Sequence, residues 1–97
     1  MKTLPTVDFC GTKVTRLICG GNPISGFSHF SPEVDRDMLT FYTGERIQEL
    51  WKECERNGIN TIQTRGDKHQ MRAYLEHRLK GGSLHWIVQT ASEFADL

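Results

Sequence analysis

The sequence predicts an α/β protein in which parallel strands alternate with helices, and three observations carry that expectation. Ile47, Leu50, Trp51 and Cys54 fall at i, i+3, i+4 and i+7, the single apolar stripe of a one-sided helix, and Gly58 stands where that helix must stop. A short β-branched run, residues 59–63, follows at once and leads into the polar residues Thr64, Arg65, Gly66 and Asp67. A second helical pattern then opens at Asp67, closes at Gly81-Gly82 and is followed by another β-rich run, residues 84–90. Helix, glycine stop, strand and polar turn form the repeating step of a parallel sheet, and ligands of such folds bind at the polar turns after the strands.

The remaining elements are read in chain order. Residues 7–9, the turn Cys10-Gly11-Thr12 and residues 13–15 read as a small hairpin. Residues 16–20 form the first predicted parallel strand, with Leu17-Ile18-Cys19 bounded by Gly20-Gly21. From Gly21 to Tyr42 the periodicity breaks, and Asn22-Pro23, Ser25-Gly26 and Ser31-Pro32 are turn signals. This stretch reads as a long loop with one short helical turn at residues 33–39, capped by Ser31 with Pro32 first. Phe27, His29, Phe30, Phe41 and Tyr42 make it aromatic, suited to packing the loop down or to shaping a substrate site. Thr43 is the expected N-cap of the first long helix. In the second, Asp67 reads as the cap with Gln70 completing a capping box, and Met71, Leu75 and Leu79 form the apolar stripe, joined by Tyr74. Thr90-Ala91-Ser92-Glu93 is the polar exit of the last strand.

Composition narrows the function classes. A chain of 97 residues holds one ordinary domain. Twelve basic and twelve acidic side chains cancel, so no net field favours nucleic acid or a membrane surface. No apolar run approaches the roughly 20 residues of a membrane span, and no apolar stretch follows Met1-Lys2 to make a secretory signal. Cys10, Cys19 and Cys54 are odd in number, scattered and without a CxxC pair, the pattern of reduced thiols in a cytoplasmic protein. They give no zinc site, and His29 and His69 lack the fixed spacing of a metal pair, so no metal is expected.

The order hairpin, β, loop, α, β, α, β resembles the N-terminal part of the aldo/keto reductase family. That family's opening hairpin matches residues 7–15, and its first glycine-terminated strand matches residues 14–21. Its Gly-(Val/Ile)-Asn-x-(Phe/Ile)-Asp-Thr-Ala step matches Gly58-Ile59-Asn60-Thr61-Ile62-Gln63-Thr64-Arg65. The resemblance implies a (β/α)8 TIM barrel, of which residues 1–97 would be an N-terminal fragment of about three βα units plus the bottom hairpin, with the C-terminal units as missing partners. It implies a nicotinamide cofactor, NADP or NAD, bound largely by residues outside this chain, and a small-molecule carbonyl substrate. The predicted strands, residues 16–20, 59–64 and 84–90, should then be parallel in the order 1-2-3. Gly20, Thr64 and Thr90 should share one rim, opposite the hairpin.

By the same resemblance the family's catalytic aspartate falls on Gln63, its tyrosine on Lys68 and its lysine at Gln89 or Thr90. Gln63 carries no charge, and Tyr42 is the one tyrosine placed to reach the mouth instead. The expected mouth comprises Gly21, Asn22, Gln63, Thr64, Arg65, Lys68, Gln89 and Thr90, with Arg65 and Lys68 as candidates for holding an anionic substrate. With three catalytic positions substituted, reduction by the family's chemistry is not expected. The alternatives are a non-redox or ligand-binding barrel of the same fold and a stand-alone α/β interaction module.

Overall fold

The computed structural model describes residues 3–26 and 28–90. Phe27 and the expected exit residues Ala91, Ser92 and Glu93 lie outside them, as do Met1 and Lys2. Eight elements follow one another: β1 (Thr6–Phe9), β2 (Thr12–Thr15), α1 (Asn22–Ser25), α2 (Pro32–Phe41), α3 (Gly44–Arg56), β3 (Thr61–Arg65), α4 (Lys68–Leu79) and β4 (His85–Gln89). Among the described residues they make a small α/β domain of two two-stranded sheets and four helices.

β1 and β2 pair antiparallel, with Thr6 opposite Thr15 and Phe9 opposite Thr12. Cys10 and Gly11 take φ of 51° and 83°, the two positive values that a two-residue hairpin turn requires, so Thr12 belongs to the strand and not to the turn. β3 and β4 pair parallel, with Thr61 opposite His85 and Arg65 opposite Gln89. The expected strand at residues 16–20 shrinks to a single parallel bridge, Cys19 to Ile62. Its ladder groups are already used: the Arg16 amide donates to the Pro5 carbonyl at 2.8 Å, extending the hairpin, and the Leu17 carbonyl accepts from the Thr15 hydroxyl at 2.7 Å. Cys19 alone reaches β3, donating to Thr61 O at 3.1 Å and accepting from Gln63 N at 2.9 Å.

The expected loop after Gly21 is largely helical. α1 occupies four residues, and α2 extends to ten because Ser31 accepts from the Val34 amide at 3.1 Å and Pro32 opens the helix with its φ already set. Phe30 is solvent-exposed, so it does not anchor the segment, whereas Tyr42 packs against the core. The expected strand start at Ile59 moves to Thr61, and Thr64 and Arg65, read as turn residues, complete β3.

The helix ends follow the glycine reading closely. Past α3, Gly58 (φ 88°) donates to Glu55 O and Ile59 to Cys54 O, both at 3.0 Å. Past α4, Gly81 (φ 91°) donates to Arg78 O at 3.1 Å and Gly82 to His77 O at 2.8 Å. Both are Schellman closures, in which a residue without Cβ enters the left-handed region and two orphan carbonyls are satisfied.

The core is Ile24, Ile47, Trp51, Ile62, Ala73 and Leu84, where α1, α3 and α4 meet one face of β3. α3 buries its predicted stripe, with Ile47, Trp51 and Cys54 inside and Leu50 half-buried. α4 does not. Met71, Leu75 and Leu79 are 53%, 49% and 77% exposed, while Gln70, Ala73 and His77 are buried. The inward face is chosen by polar groups that find partners there: Gln48 Nε2 donates to Ala73 O at 2.7 Å and Tyr74 Oη to Leu84 O at 2.7 Å. Edge-to-face and tilted rings add to it, Trp51 with His77 at 5.7 Å and Tyr74 with Trp86 at 5.0 Å.

The two ends of β3 differ in character. At its start, Asn60 accepts from the Thr15 amide at 2.9 Å and donates to Lys13 O at 2.9 Å, tying the hairpin there. At its finish lie Gly21, α1 and the head of α4. The hairpin is therefore opposite the end that carries Thr64.

Candidate functional site

The polar end of β3 is built from three segments. Asp67 occupies the N-cap position of α4 with extended backbone, but its carboxylate makes no cap bond. It accepts instead from Ser25 Oγ on α1 at 2.6 Å and meets Arg65 Nε at 3.4 Å. Gln70 does not complete a capping box either. It is fully buried, its Nε2 donates to Ser25 Oγ at 2.7 Å, and its Oε1 has no hydrogen-bond partner. The exposed His69 ring meets the Ile24 carbonyl at 3.2 Å. This network fastens the short α1 to the head of α4. Arg65 is only 7% exposed and its guanidinium is turned onto Asp67, so it presents no open cationic face to an anion.

Beside the network lies a cleft of about 540 Å³, lined by Ile18, Cys19, Gly20, Gly21, Asn22, Pro23, Tyr42, Leu50 and Gln63. The close turn after Cys19 depends on Gly21, where a Cβ would lie 2.5 Å from Thr64 Cγ2 and 3.2 Å from Gln70 Nε2. Gln63 projects from β3 with its side chain exposed. Asn22 and Tyr42 bring a second amide and a phenol, and Ile18, Pro23 and Leu50 supply apolar wall. Uncharged donors and acceptors set in an apolar lining are the ordinary make-up of a small-molecule site. A second cleft of about 490 Å³ faces the hairpin, lined by Val7, Phe9, Val14, Ile18, Gln63 and Ile87 among others, and its wall is more uniformly apolar.

Of the expected mouth residues, Gly21, Asn22 and Gln63 converge on the first cleft. Thr64 turns the other way, is buried, and accepts from Trp86 Nε1 at 2.7 Å. Arg65 joins the Asp67 network. Lys68 and Thr90 are exposed and line neither cleft, and Gln89 contributes its backbone, accepting from Gly66 N at 3.0 Å. The three positions aligned with the family's catalytic residues are therefore not brought together: Gln63 is in the cleft, Lys68 and Thr90 outside it. Ser25, Gln70 and Cys19 were not among the expected mouth residues; the sequence signal for them was their nearness to the Gly20-Gly21 and Asp67 turns. Among the described residues no three His, Cys, Asp or Glu side chains are grouped as metal ligands.

A nicotinamide cofactor brings a diphosphate, which needs cations or a helix N-terminus of some length. The cleft lining holds neither lysine nor arginine, and α1 has only four residues. The diphosphate of the cofactor that the resemblance implies would therefore have to be held by residues outside this cleft.

No protein-family model matches the chain, and neither does any curated protein or solved structure. No described helix is long and apolar enough to cross a membrane.

Proposed function

We propose that the chain binds a small, uncharged molecule bearing a carbonyl or amide in the cleft between Gly20-Gly21, Tyr42 and Gln63, and that it does not itself reduce that molecule. The observation that carries this reading is the convergence of Gln63, Asn22 and Tyr42 on one apolar-walled cleft at the end of β3 where ligands of parallel α/β folds bind. The Tyr42 hydroxyl and the two amides can donate to a ligand carbonyl, and both amides can also accept. Family-type reduction also needs an acid, a lysine and an aspartate at positions held here by Lys68, Thr90 or Gln89, and Gln63. The finer fold reading, three βα steps of an eight-fold barrel, draws support from the parallel β3–β4 pairing, the Cys19–Ile62 bridge and the hairpin at the start of β3. A cytoplasmic setting rests on the odd, scattered cysteines.

Ligand-observed NMR on the 97-residue chain, with a panel of small aldehydes, ketones, amides and NADPH, tests this. Carbonyl and amide compounds should bind, with Gln63→Leu and Tyr42→Phe each weakening them by about fivefold, the worth of roughly one net hydrogen bond. Binding unmoved by both substitutions, or consumption of NADPH with an aldehyde, would sink it.

A second reading, an interaction module, is favoured by the exposed ridge Met71, Leu75 and Leu79 on α4. Its occupant would be a second copy of the chain, because a formal net charge of zero offers no repulsion between copies.

A further inference from the structure

We propose that the cleft beneath the hairpin is a second binding site, and that it takes a medium-chain alkyl carboxylate. In the parallel ladder Ile62 stands beside Trp86 and Gln63 beside Ile87. Ile62 belongs to the core under the helices, so the alternation of a strand turns Gln63 and Ile87 the other way, toward the hairpin. They are the floor of the cleft of about 490 Å³. Its roof follows from the hairpin register. Val7 pairs with Val14 and Phe9 with Thr12, so Val7, Phe9, Val14 and Arg16 project from one face, and all four line the cleft. Phe9 lies at the turn and Arg16 at the open end, a strand rise of about 14 Å from Thr12 to Arg16.

Arg16 gives the site its sign. Among the described residues it is the one charged side chain in the lining. It is exposed, and among the described residues its guanidinium has neither a carboxylate partner nor a hydrogen bond. Asp8, the nearest acid in sequence, projects from the opposite face of the hairpin and is held by Lys13 at 3.2 Å. An apolar slot with one unpaired cation at its open end complements an amphipathic anion. The guanidinium fork matches a carboxylate, and Phe9 with the β-branched walls takes a saturated chain. A span of about 14 Å holds an extended chain of about eight to ten carbons with its headgroup. Val7 and Phe9, about half exposed, are the apolar surface that such a chain would bury. Ile18 and Gln63 line both clefts, whereas Arg16 and Phe9 belong to this one alone and Tyr42 to the other alone. Failure of one reading therefore leaves the other standing.

The test is titration of the isotope-labelled 97-residue chain with octanoate, below its micellar range, and with octanol, each followed by amide chemical shifts. Octanoate should saturate one set of shifts centred on Val7, Val14 and Ile87. Octanol should bind the same place about tenfold more weakly, since it lacks the charge-assisted pair. Arg16→Gln should weaken octanoate by about tenfold and leave octanol unchanged. Phe9→Ala should weaken both, and Tyr42→Phe neither. Circular dichroism establishes that each variant is folded; for a variant that is not, octanoate against octanol on the unsubstituted chain decides. No binding, shifts confined to Met71, Leu75 and Leu79 on α4, octanol held as tightly as octanoate, or octanoate undiminished by Arg16→Gln would overturn the proposal. So would cleft shifts that follow protein concentration and ignore octanoate, the mark of a second copy seated there.

Discussion

At the scale of single residues, the polar side chains with the firmest positions are those that the sequence reading assigned to solvent. Thr64 was expected at an open mouth, yet its hydroxyl is buried and accepts from Trp86 Nε1 at 2.7 Å. Thr64→Val keeps the volume and removes the acceptor, leaving the indole N–H of a half-buried tryptophan without its partner. The expected loss is about 1–3 kcal/mol in urea unfolding, the cost of an unmade buried hydrogen bond. An unchanged midpoint would show that the bond contributes nothing. Asp67 teaches the same lesson. Its place before α4 was legible because the cap position has a sequence signature, but the carboxylate's partners, Ser25 and Arg65, come from another segment and from the strand before it. A local pattern specifies where a backbone turns; it does not specify which distant hydroxyl will arrive there.

At the scale of elements, α3 and α4 divide what pattern can and cannot deliver. Both helices end at the glycines that the sequence marks, since a positive φ is a demand of the backbone that few residues meet. α3 buries its apolar stripe, but α4 buries Gln70, Ala73 and His77 and leaves its leucines outside. Periodicity finds an apolar face and is silent when a polar face packs inward on ring contacts and a few hydrogen bonds, here with Gln70 Oε1 left without a partner. His77 makes this rotation measurable. Burial pushes its imidazole below the ordinary value of 6.5, with Glu55, 3.3 Å away, working the other way and Arg78 adding to the fall. A base whose folded pKa lies below its unfolded one stabilises the protein above the unfolded value, and that stability is lost as pH falls below it. The urea midpoint should therefore drop on acidification from pH 7 through the histidine range, and His77→Gln should flatten the slope. A midpoint that rises on acidification there would show that Glu55 outweighs burial and that the folded imidazole holds its proton more tightly than the unfolded one. Gly82 guards the same ring: a Cβ there would run into the imidazole, so Gly82→Ala should cost about 1–3 kcal/mol by overpacking.

At the scale of the whole molecule, much apolar surface remains uncovered. Val7, Phe9, Leu17 and Val88 are about half exposed around the sheets, and the α4 ridge adds Met71, Leu75 and Leu79. Among the described residues β4 pairs along one edge only, with β3, and an edge without a partner is a template for a further strand. The purified chain should therefore self-associate, with a sedimentation coefficient that rises with concentration and falls when Leu75→Lys and Leu79→Lys are combined. A single concentration-independent monomer peak would remove the interaction reading. The alternation of helix and strand and the parallel pairing of β3 with β4 were legible, because each rests on local composition and chain order. The absent first strand was not, because the amide of Arg16 went to Pro5, a competition between two ladders that no single segment reveals.

Asn60 has a consequence for how the hairpin moves. A side-chain amide carries the same donor and acceptor as a peptide group, and Asn60 uses both on the backbone of β2. The hairpin is thus laced to the domain through one removable side chain, reinforced by the Asn60 amide donating to Thr15 Oγ1 at 3.2 Å. Such a joint opens as a unit, and the amide of Thr15 reports when it does. In hydrogen exchange Thr15 should be slow while the β1 amides at the non-hydrogen-bonded ladder positions, Thr6 and Asp8, exchange quickly. Asn60→Asp keeps the acceptor but loses the donor to Lys13, and it should release Thr15 to the rate of its neighbours while the amides of Ile62 and Thr64 stay protected. Equal acceleration across β3 would mean that the hairpin and the parallel sheet unfold together.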